Sequence, residues 1–185
     1  DSSWHMPKTN RSGYNEYLKE HIKKSVFFDI DKCSKLNTDL PHMLVDTKDW
    51  EKIVSNMGIS NDDLIIIYDN SDLISSCRCW YNFIYFGHNP KLVKVLDGGF
   101  KKWIIEGRET TSKIDNIRKS NYRSYELKYL VKNKKQIDEN ILTSEFKLID
   151  ARSIERFKGL EKEPREGLRS GSIKNSFCLP FRAQM

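Results

Sequence analysis

Four cysteines, Cys33, Cys77, Cys79 and Cys178, are the side chains of this 185-residue sequence best suited to nucleophilic or metal chemistry. They form no CxxC pair and are too sparse for a disulfide framework or a zinc site. A phosphatase loop is disfavoured too, because it needs an Arg six positions after the nucleophile and none of the four has one. Cys77 stands beside Arg78 where a helix is expected to begin, and a neighbouring cation and a helix N-terminus both lower a thiol pKa. Against that, Cys77 and Cys79 open a segment apolar on every side, where small buried thiols are inert; this is the favoured reading. Cys33 and Cys178 carry no sign of activation. Unpaired cysteines suit a reducing compartment.

Thr47 can cap a helix whose Trp50, Ile53, Val54 and Met57 recur at the i, i+3, i+4, i+7 spacing, with Gly58 placed to end it. The continuous run Leu64-Ile65-Ile66-Ile67-Tyr68 predicts a strand buried on both faces, followed by a polar loop from Asp69 to Ser76. The segment from Cys77 to Phe86 predicts a well-buried helix stopped by Gly87. Leu92 to Leu96 predicts a second strand, and Gly99 to Glu106 a helix with Phe100, Trp103 and Ile104 on one face and Gly107 as its stop. Strands alternating with helices of this length predict an α/β domain, a mostly parallel sheet with helices on both faces. In such a domain sites form where strand ends meet helix N-termini, because free backbone N–H groups and the helix dipole favour anions there.

Hydrophobic residues at 38%, with 11% aromatic, are enough for a packed core, and 31% charged residues keep the surface solvated, so a globular chain is expected. No apolar run approaches the ~18–20 residues needed to cross a bilayer, and no secretory signal pattern occurs, so no membrane partner is expected. The sequence opens at Asp1 without an initiator Met, and upstream residues are expected to have been lost. The net charge of +6 is mixed with acids, as in Glu161-Lys162-Glu163, and fits a solvated basic surface better than nucleic-acid binding.

From Thr111 to Asn140 the chain is polar and reads as a connector, its Tyr122, Tyr125 and Tyr129 able to lie as a strand across a domain boundary. After it the sequence echoes itself. Asp1-Ser2-Ser3 returns as Asp150-Ala151-Arg152, and the stretch from His21 to Phe28 returns from Ser172 to Leu179. Two copies of one domain roughly 150 residues apart account for both echoes. The counterpart of the strand ending at Tyr68 then falls beyond Met185, and the second copy's site loop with it.

Asp1-Ser2-Ser3-Trp4, Glu16-Tyr17-Leu18, His21-Ile22 and Phe27-Phe28-Asp29-Ile30-Asp31 begin a series that runs through Leu40-Pro41-His42-Met43-Leu44, Tyr68-Asp69, Arg78 with Trp80, Phe86-Gly87-His88 and Leu96-Asp97-Gly98-Gly99. Asp150-Ala151-Arg152, Arg156-Phe157 and Glu163-Pro164-Arg165 extend it. Taken in order over nearly the whole chain, these residues resemble the two-domain rhodanese-type sulfurtransferases, the thiosulfate/3-mercaptopyruvate sulfurtransferase family. The resemblance implies tandem rhodanese-like domains: a catalytically silent one over 1–112, a connector over 113–140, and over 141–185 the start of a catalytic domain that stops before its active-site loop. It implies a nucleophilic cysteine, here beyond residue 185, that takes sulfane sulfur from 3-mercaptopyruvate or thiosulfate as a persulfide. The sulfur then passes to a thiol such as thioredoxin or a small thiol, or to cyanide. No cofactor and no metal are implied. At the matching place in the first copy stands Asp69, and a carboxylate cannot form a persulfide. Lys23-Lys24 stand where the family often has Pro-Gly, which puts a tight turn there in doubt.

In the mercaptopyruvate branch, an Asp and a His placed like Asp31 and His42 support a serine of the catalytic loop, helping to deprotonate the substrate thiol or protonate the leaving enolate. The alternative for His42 is a loop histidine satisfied by backbone groups. Arg156 and Arg165 resemble the pair that holds the donor's carboxylate or sulfonate, a task suited to a permanently charged fork that can make two parallel hydrogen bonds. Arg156 could instead pair at the surface with Glu155 or Glu161, an ion pair worth ~0–1 kcal/mol. His42 and Glu163-Pro164-Arg165 both side with 3-mercaptopyruvate. These 185 residues alone are expected to bind anions weakly and turn over nothing, and the location expected is the cytoplasm, or the mitochondrial matrix in a eukaryote. A noncatalytic rhodanese-like binding or regulatory module is the alternative. Phe177, Leu179 and Phe181 weigh against it, since as an apolar strand they would lack a sheet to bury them.

Overall fold

In the computed structural model, which describes residues 1–72, 74–164 and 167–184, the chain folds as two units, Asp1–Leu130 and Val131–Met185. The first unit runs α1 (Gly13–Lys19), β1 (His21–Ile22), α2 (Thr47–Asn56), β2 (Ile65–Ile67), α3 (Ser75–Tyr85), β3 (Val93–Val95), α4 (Gly99–Ile105) and β4 (Thr110–Thr111). β2 and β3 pair in parallel, with Ile65 opposite Val93 and Ile67 opposite Val95. β1 and β4 form a short antiparallel pair. Backbone hydrogen bonds extend the parallel ladder on both sides. The Leu96 N–H donates to the Ile67 carbonyl (2.8 Å), the Ser2 N–H to Tyr68 (2.9 Å) and the Phe28 N–H to Asp1 (2.7 Å). Segments 26–28, 1–3, 65–68 and 93–96 therefore lie side by side, and the fold is α/β with a parallel sheet.

The helices begin and end within about two residues of the positions expected from periodicity and glycine stops. α2 is capped by Asp46 rather than Thr47: the Asp46 carboxylate accepts the Asp49 N–H at 3.0 Å, and a negative charge there also suits the helix dipole. Trp50 and Val54 of α2 are completely buried. The Trp50 ring stacks on Phe86 at 4.7 Å and meets Phe83 edge-on at 5.1 Å, which ties α2 to α3. α3 is not buried all round as expected, for Cys77 is exposed and Trp80 is 37% exposed while Cys79 and Phe83 lie in the core. β2 also departs from expectation. Ile65 and Ile67 are buried, but Leu64 and Ile66 are 60% and 49% exposed. An unbroken apolar run does not say how many faces are covered, and alternation along a strand exposes every second residue wherever one face has no partner.

Residues 113–130, expected within a connector containing a Tyr-rich strand, lie along the first unit without forming a strand. Tyr122 is 1% exposed, and its hydroxyl shares a 3.0 Å hydrogen bond with His88 Nδ1. The Tyr125 and Leu127 N–H groups donate to the Phe86 and Tyr85 carbonyls at the end of α3, satisfying acceptors that a helix leaves free at its C-terminus. Gly87 has φ +79°, and a Cβ there would lie 2.7 Å from the Tyr125 ring, so both backbone and space require glycine.

The second unit contains α5 (Lys134–Thr143), β5 (Leu148–Asp150), α6 (Ile154–Phe157) and β6 (Ser176–Cys178), with β5 and β6 parallel. Its backbone repeats details of the first. Asp1 Oδ1 accepts the Ser3 N–H at 2.8 Å, and Asp150 Oδ1 accepts the Arg152 N–H at 3.0 Å. Phe28 donates to the Asp1 carbonyl as Leu179 does to Asp150. Phe181 falls in a short 3-10 turn rather than in the strand.

The tight turn placed in doubt by Lys23-Lys24 does form, with the Ser25 N–H bonded to the Ile22 carbonyl at 3.0 Å. Lys24 takes φ +64°, the same value as Asn175 in the corresponding turn of the second unit. A left-handed residue other than glycine costs ~1–2 kcal/mol, and glycine would return ~0.5–1 kcal/mol of that in chain entropy. Lys24→Gly should therefore raise the melting temperature by about 2–3 °C in thermal unfolding, and Asn175→Gly by less, because Asn tolerates this region.

Candidate functional site

β2 delivers Tyr68 and Asp69 to the head of α3. The Asp69 side chain accepts the Ser76 N–H on Oδ2 at 2.6 Å, and on Oδ1 the Ser71 N–H at 3.0 Å and hydroxyl at 3.1 Å. The Asp69 carbonyl accepts the Phe100 N–H at 2.9 Å where α4 begins. A Cβ on Gly99 would lie 2.6 Å from that carbonyl oxygen, so only glycine permits the approach. Ile74, which precedes α3 at φ +50°, makes no side-chain cap. The carboxylate of Asp69 satisfies the helix start instead, and its charge complements the dipole. The strand-end loop of this unit is thus filled by the chain's own anion.

Cys77 gains no activation from that arrangement. Burial pushes its thiol pKa up and the Asp69 charge pushes it further, while the Arg78 guanidinium is directed to the His42 carbonyl. Burial raises Cys33 and Cys79 to about 12. The bland account of Cys77 and Cys79 matches this chemistry, although Cys77 is exposed rather than buried.

Asp31 and His42 meet. His42 Nε2 lies 2.7 Å from Asp31 Oδ1, and the Trp4 Nε1–H donates to Asp31 Oδ2 at 3.0 Å. An ionised carboxylate only accepts, so the proton of the His42 bond sits on Nε2. The Trp4 ring stands edge-on to the His42 ring, with centroids 5.1 Å apart. His42 has φ +55°. Its ring is held by a carboxylate, not by backbone groups.

In the second unit Arg156 lies on α6, capped by Ser153, which accepts the Arg156 N–H at 3.3 Å. Its guanidinium pairs with Glu163, and with neither Glu155 nor Glu161. Glu163 also accepts from Arg152 Nη1 at 2.6 Å, and Arg152 clamps Asp150 through Nη2 at 2.6 Å and Nε at 3.0 Å. The Arg152 fork holds the Asp150 carboxyl below the usual carboxylate range, and Arg156 with Arg152 does the same for Glu163. Any anion reaching Arg156 must share it with Glu163. Arg165 lies outside the described residues. Asp31 and His42 belong to the first unit and Arg156 to the second. Trp4 and Arg78 were not singled out by the sequence as partners of Asp31 and His42. They act across 27 and 36 residues of chain, with no local pattern to mark them. Among the described residues no group of three His, Cys, Asp or Glu could hold a metal ion, and no helix is long and apolar enough to cross a membrane.

Two measurements check these environments. At pH 8 a thiol of pKa about 12 is thiolate to about one part in 10⁴, so alkylation followed by mass spectrometry should label Cys77 and leave Cys33 and Cys79 unmodified until the chain unfolds. Asp150 and Glu163 have folded pKa values below their unfolded ones, so their stabilisation is present above the ordinary carboxylate range and is lost as pH falls through the lowered values. Amide protection, corrected for the intrinsic exchange rate, should fall over residues 148–164 and 167–178 between about pH 5 and 3, and Arg152→Met should flatten that dependence.

Residues 11–106 match the rhodanese-like domain family. The thiosulfate/3-mercaptopyruvate sulfurtransferase 1, mitochondrial, of Arabidopsis thaliana is 36% identical over 202 residues, covering 98% of this chain and 53% of that protein. The 3-mercaptopyruvate sulfurtransferase of Mus musculus is 34% identical over 183 residues, covering 98% of this chain and 61% of its own length. The crystal structure of SseA from Escherichia coli, described as showing the rhodanese fold of 3-mercaptopyruvate sulfotransferases, matches with a TM-score of 0.86 at 26% identity, over 97% of this chain and 67% of that one. The chain spans 53% to 61% of the length of these two curated relatives. With its parallel α/β sheet and this match across its first unit, the chain belongs to the rhodanese-like domain family.

Proposed function

We propose that this chain supplies the silent first domain and the opening of the catalytic domain of a sulfurtransferase that takes sulfur from 3-mercaptopyruvate, or from thiosulfate, as a persulfide on a cysteine beyond residue 185. The observation that carries it is the 2.7 Å bond between Asp31 and His42. It leaves His42 with a proton on Nε2 and with Nδ1 unengaged among the described residues. Two findings support it: Asp69 stands at the strand-end position of the first unit where a nucleophile would sit, and the relatives are named as sulfurtransferases. The matched backbone details of the two units favour two copies of one domain; we assign 1–112 to the first, 141–185 to the second and 113–140 to a connector whose residues up to Leu130 pack with the first unit.

In the proposed reaction the cysteine thiolate attacks the sulfur of 3-mercaptopyruvate and the carbon–sulfur bond breaks. Its electron pair passes into the ketone as an enolate. The thiol proton ends on that carbon, giving pyruvate and a persulfide anion. His42 Nδ1 supports a serine of the catalytic loop in taking that proton and returning it, with Asp31 stabilising the imidazolium formed in between. Arg156, with Arg165, holds the donor's carboxylate, for which a guanidinium fork is well matched. The outer sulfur then passes to a thiol, thioredoxin or a small one, or to cyanide. The free cysteines fit a reducing location, the cytoplasm or the mitochondrial matrix.

Thiosulfate brings no thiol proton, so the two donors separate the role of His42. In the protein that contains this chain and the nucleophile, His42→Ala should lower kcat for 3-mercaptopyruvate ~10²-fold or more and leave thiosulfate turnover within a few fold. Equal loss on both donors, or none, contradicts the assignment. Arg156→Gly should raise KM for the donor, and an unchanged KM removes Arg156 from the donor site. A noncatalytic binding module, favoured by the sealed Asp69 loop, predicts no sulfur transfer at all.

A further inference from the structure

We propose that Trp4 and Arg78 are positioning residues that clamp the Asp31–His42 pair, one through the carboxylate and one through the His42 carbonyl, and leave His42 Nδ1 as the working nitrogen. The proposal rests on His42 as the proton carrier of the preceding section, and adds which residues make an exposed pair rigid enough for that task.

An exposed His–Asp contact by itself does not hold a ring in place, because solvent competes and two side chains must be immobilised. Asp31 is 65% exposed, so the 2.7 Å bond needs outside support. Trp4 provides it on the carboxylate side. Its indole N–H takes Oδ2 and so turns Oδ1 toward His42 Nε2, while its ring packs perpendicular to the imidazole. Trp4 is itself fixed, since its backbone N–H donates to Ser75 Oγ at 3.2 Å and its side chain packs against the core.

Arg78 provides support on the backbone side. It projects from α3, is half-buried, and has no carboxylate partner among the described residues. Its side-chain hydrogen bond goes to the His42 carbonyl. Burying a guanidinium without a counter-ion is unfavourable, and so is the left-handed backbone of His42 at φ +55°. Both unfavourable features meet at one residue. Strain of this kind persists where surrounding structure over-determines it, and it gathers at functional positions. Trp4 and Arg78 do not touch the reacting atoms in this scheme, so their effect is on orientation.

The imidazole ¹⁵N signals of His42 in this chain, recorded at a pH where the ring is neutral, test the clamp directly. The native chain should show the Nε2–H tautomer in large excess. Trp4→Phe keeps a ring edge and removes the donor, and Arg78→Met frees the carbonyl. Either should shift the His42 signals toward a mixture of tautomers, with those of the buried His21 and His88 unchanged as evidence of an intact fold. In the catalytic protein Trp4→Phe should lower kcat for 3-mercaptopyruvate about 10-fold with KM and thiosulfate turnover unchanged. A native tautomer ratio in both variants overturns the clamp. If the tautomers respond as expected but His42→Ala turns over 3-mercaptopyruvate normally, the clamp stands and the proton-carrier role falls.

Discussion

The Asp69 carboxylate accepts the Ser76 N–H at 2.6 Å, and through that bond β2 ends and α3 begins at one point. Much of the first unit is connected through it. Asp69 holds Ser71, whose hydroxyl meets that of Ser75 at 2.9 Å; Ser75 takes the Trp4 N–H, Trp4 takes Asp31, and Asp31 takes His42. The path returns to α3 through Arg78, which holds the His42 carbonyl. Each such bond contributes only about 1 kcal/mol net, but a buried donor left without its acceptor costs about 1–3 kcal/mol. Members of a closed network therefore constrain one another more than isolated bonds do.

Asp69 also divides the work of the domain. A helix N-terminus at a strand end is a place for an anion, and here the chain's own carboxylate occupies it. No thiol on the described part of the loop is lowered toward thiolate. The fold is used as a support, presenting a His–Asp pair at its surface. Function in such a family lives in the site and not in the fold, and on the proposed reading the first domain is silent and still necessary.

The alternation of α2, β2, α3, β3 and α4 was legible because each element carries its own period and most carry a glycine stop. What was not legible depended on contacts distant in sequence. The run Leu64 to Tyr68 reads as buried on both faces, yet Leu64 and Ile66 are exposed, since composition does not reveal what packs against each face. Thr47 and Asp46 are both good caps, and only the backbone conformation selects Asp46. Lys24 takes a left-handed conformation more usual for glycine, and its residue type does not announce it. The Asp31–His42 pair was identified through the family resemblance, but its supports Trp4 and Arg78 have no spacing that marks them. Arg156 finds Glu163 seven residues on, beyond the helix neighbours that local spacing suggests.

The measurement that bears most directly on this account is mass-spectrometric mapping of the persulfide in the protein that carries this chain, after incubation with 3-mercaptopyruvate. The account predicts one added sulfur on a cysteine outside residues 1–185, with Cys33, Cys77, Cys79 and Cys178 unmodified. A persulfide on Cys77, next to the loop that Asp69 closes, would contradict it.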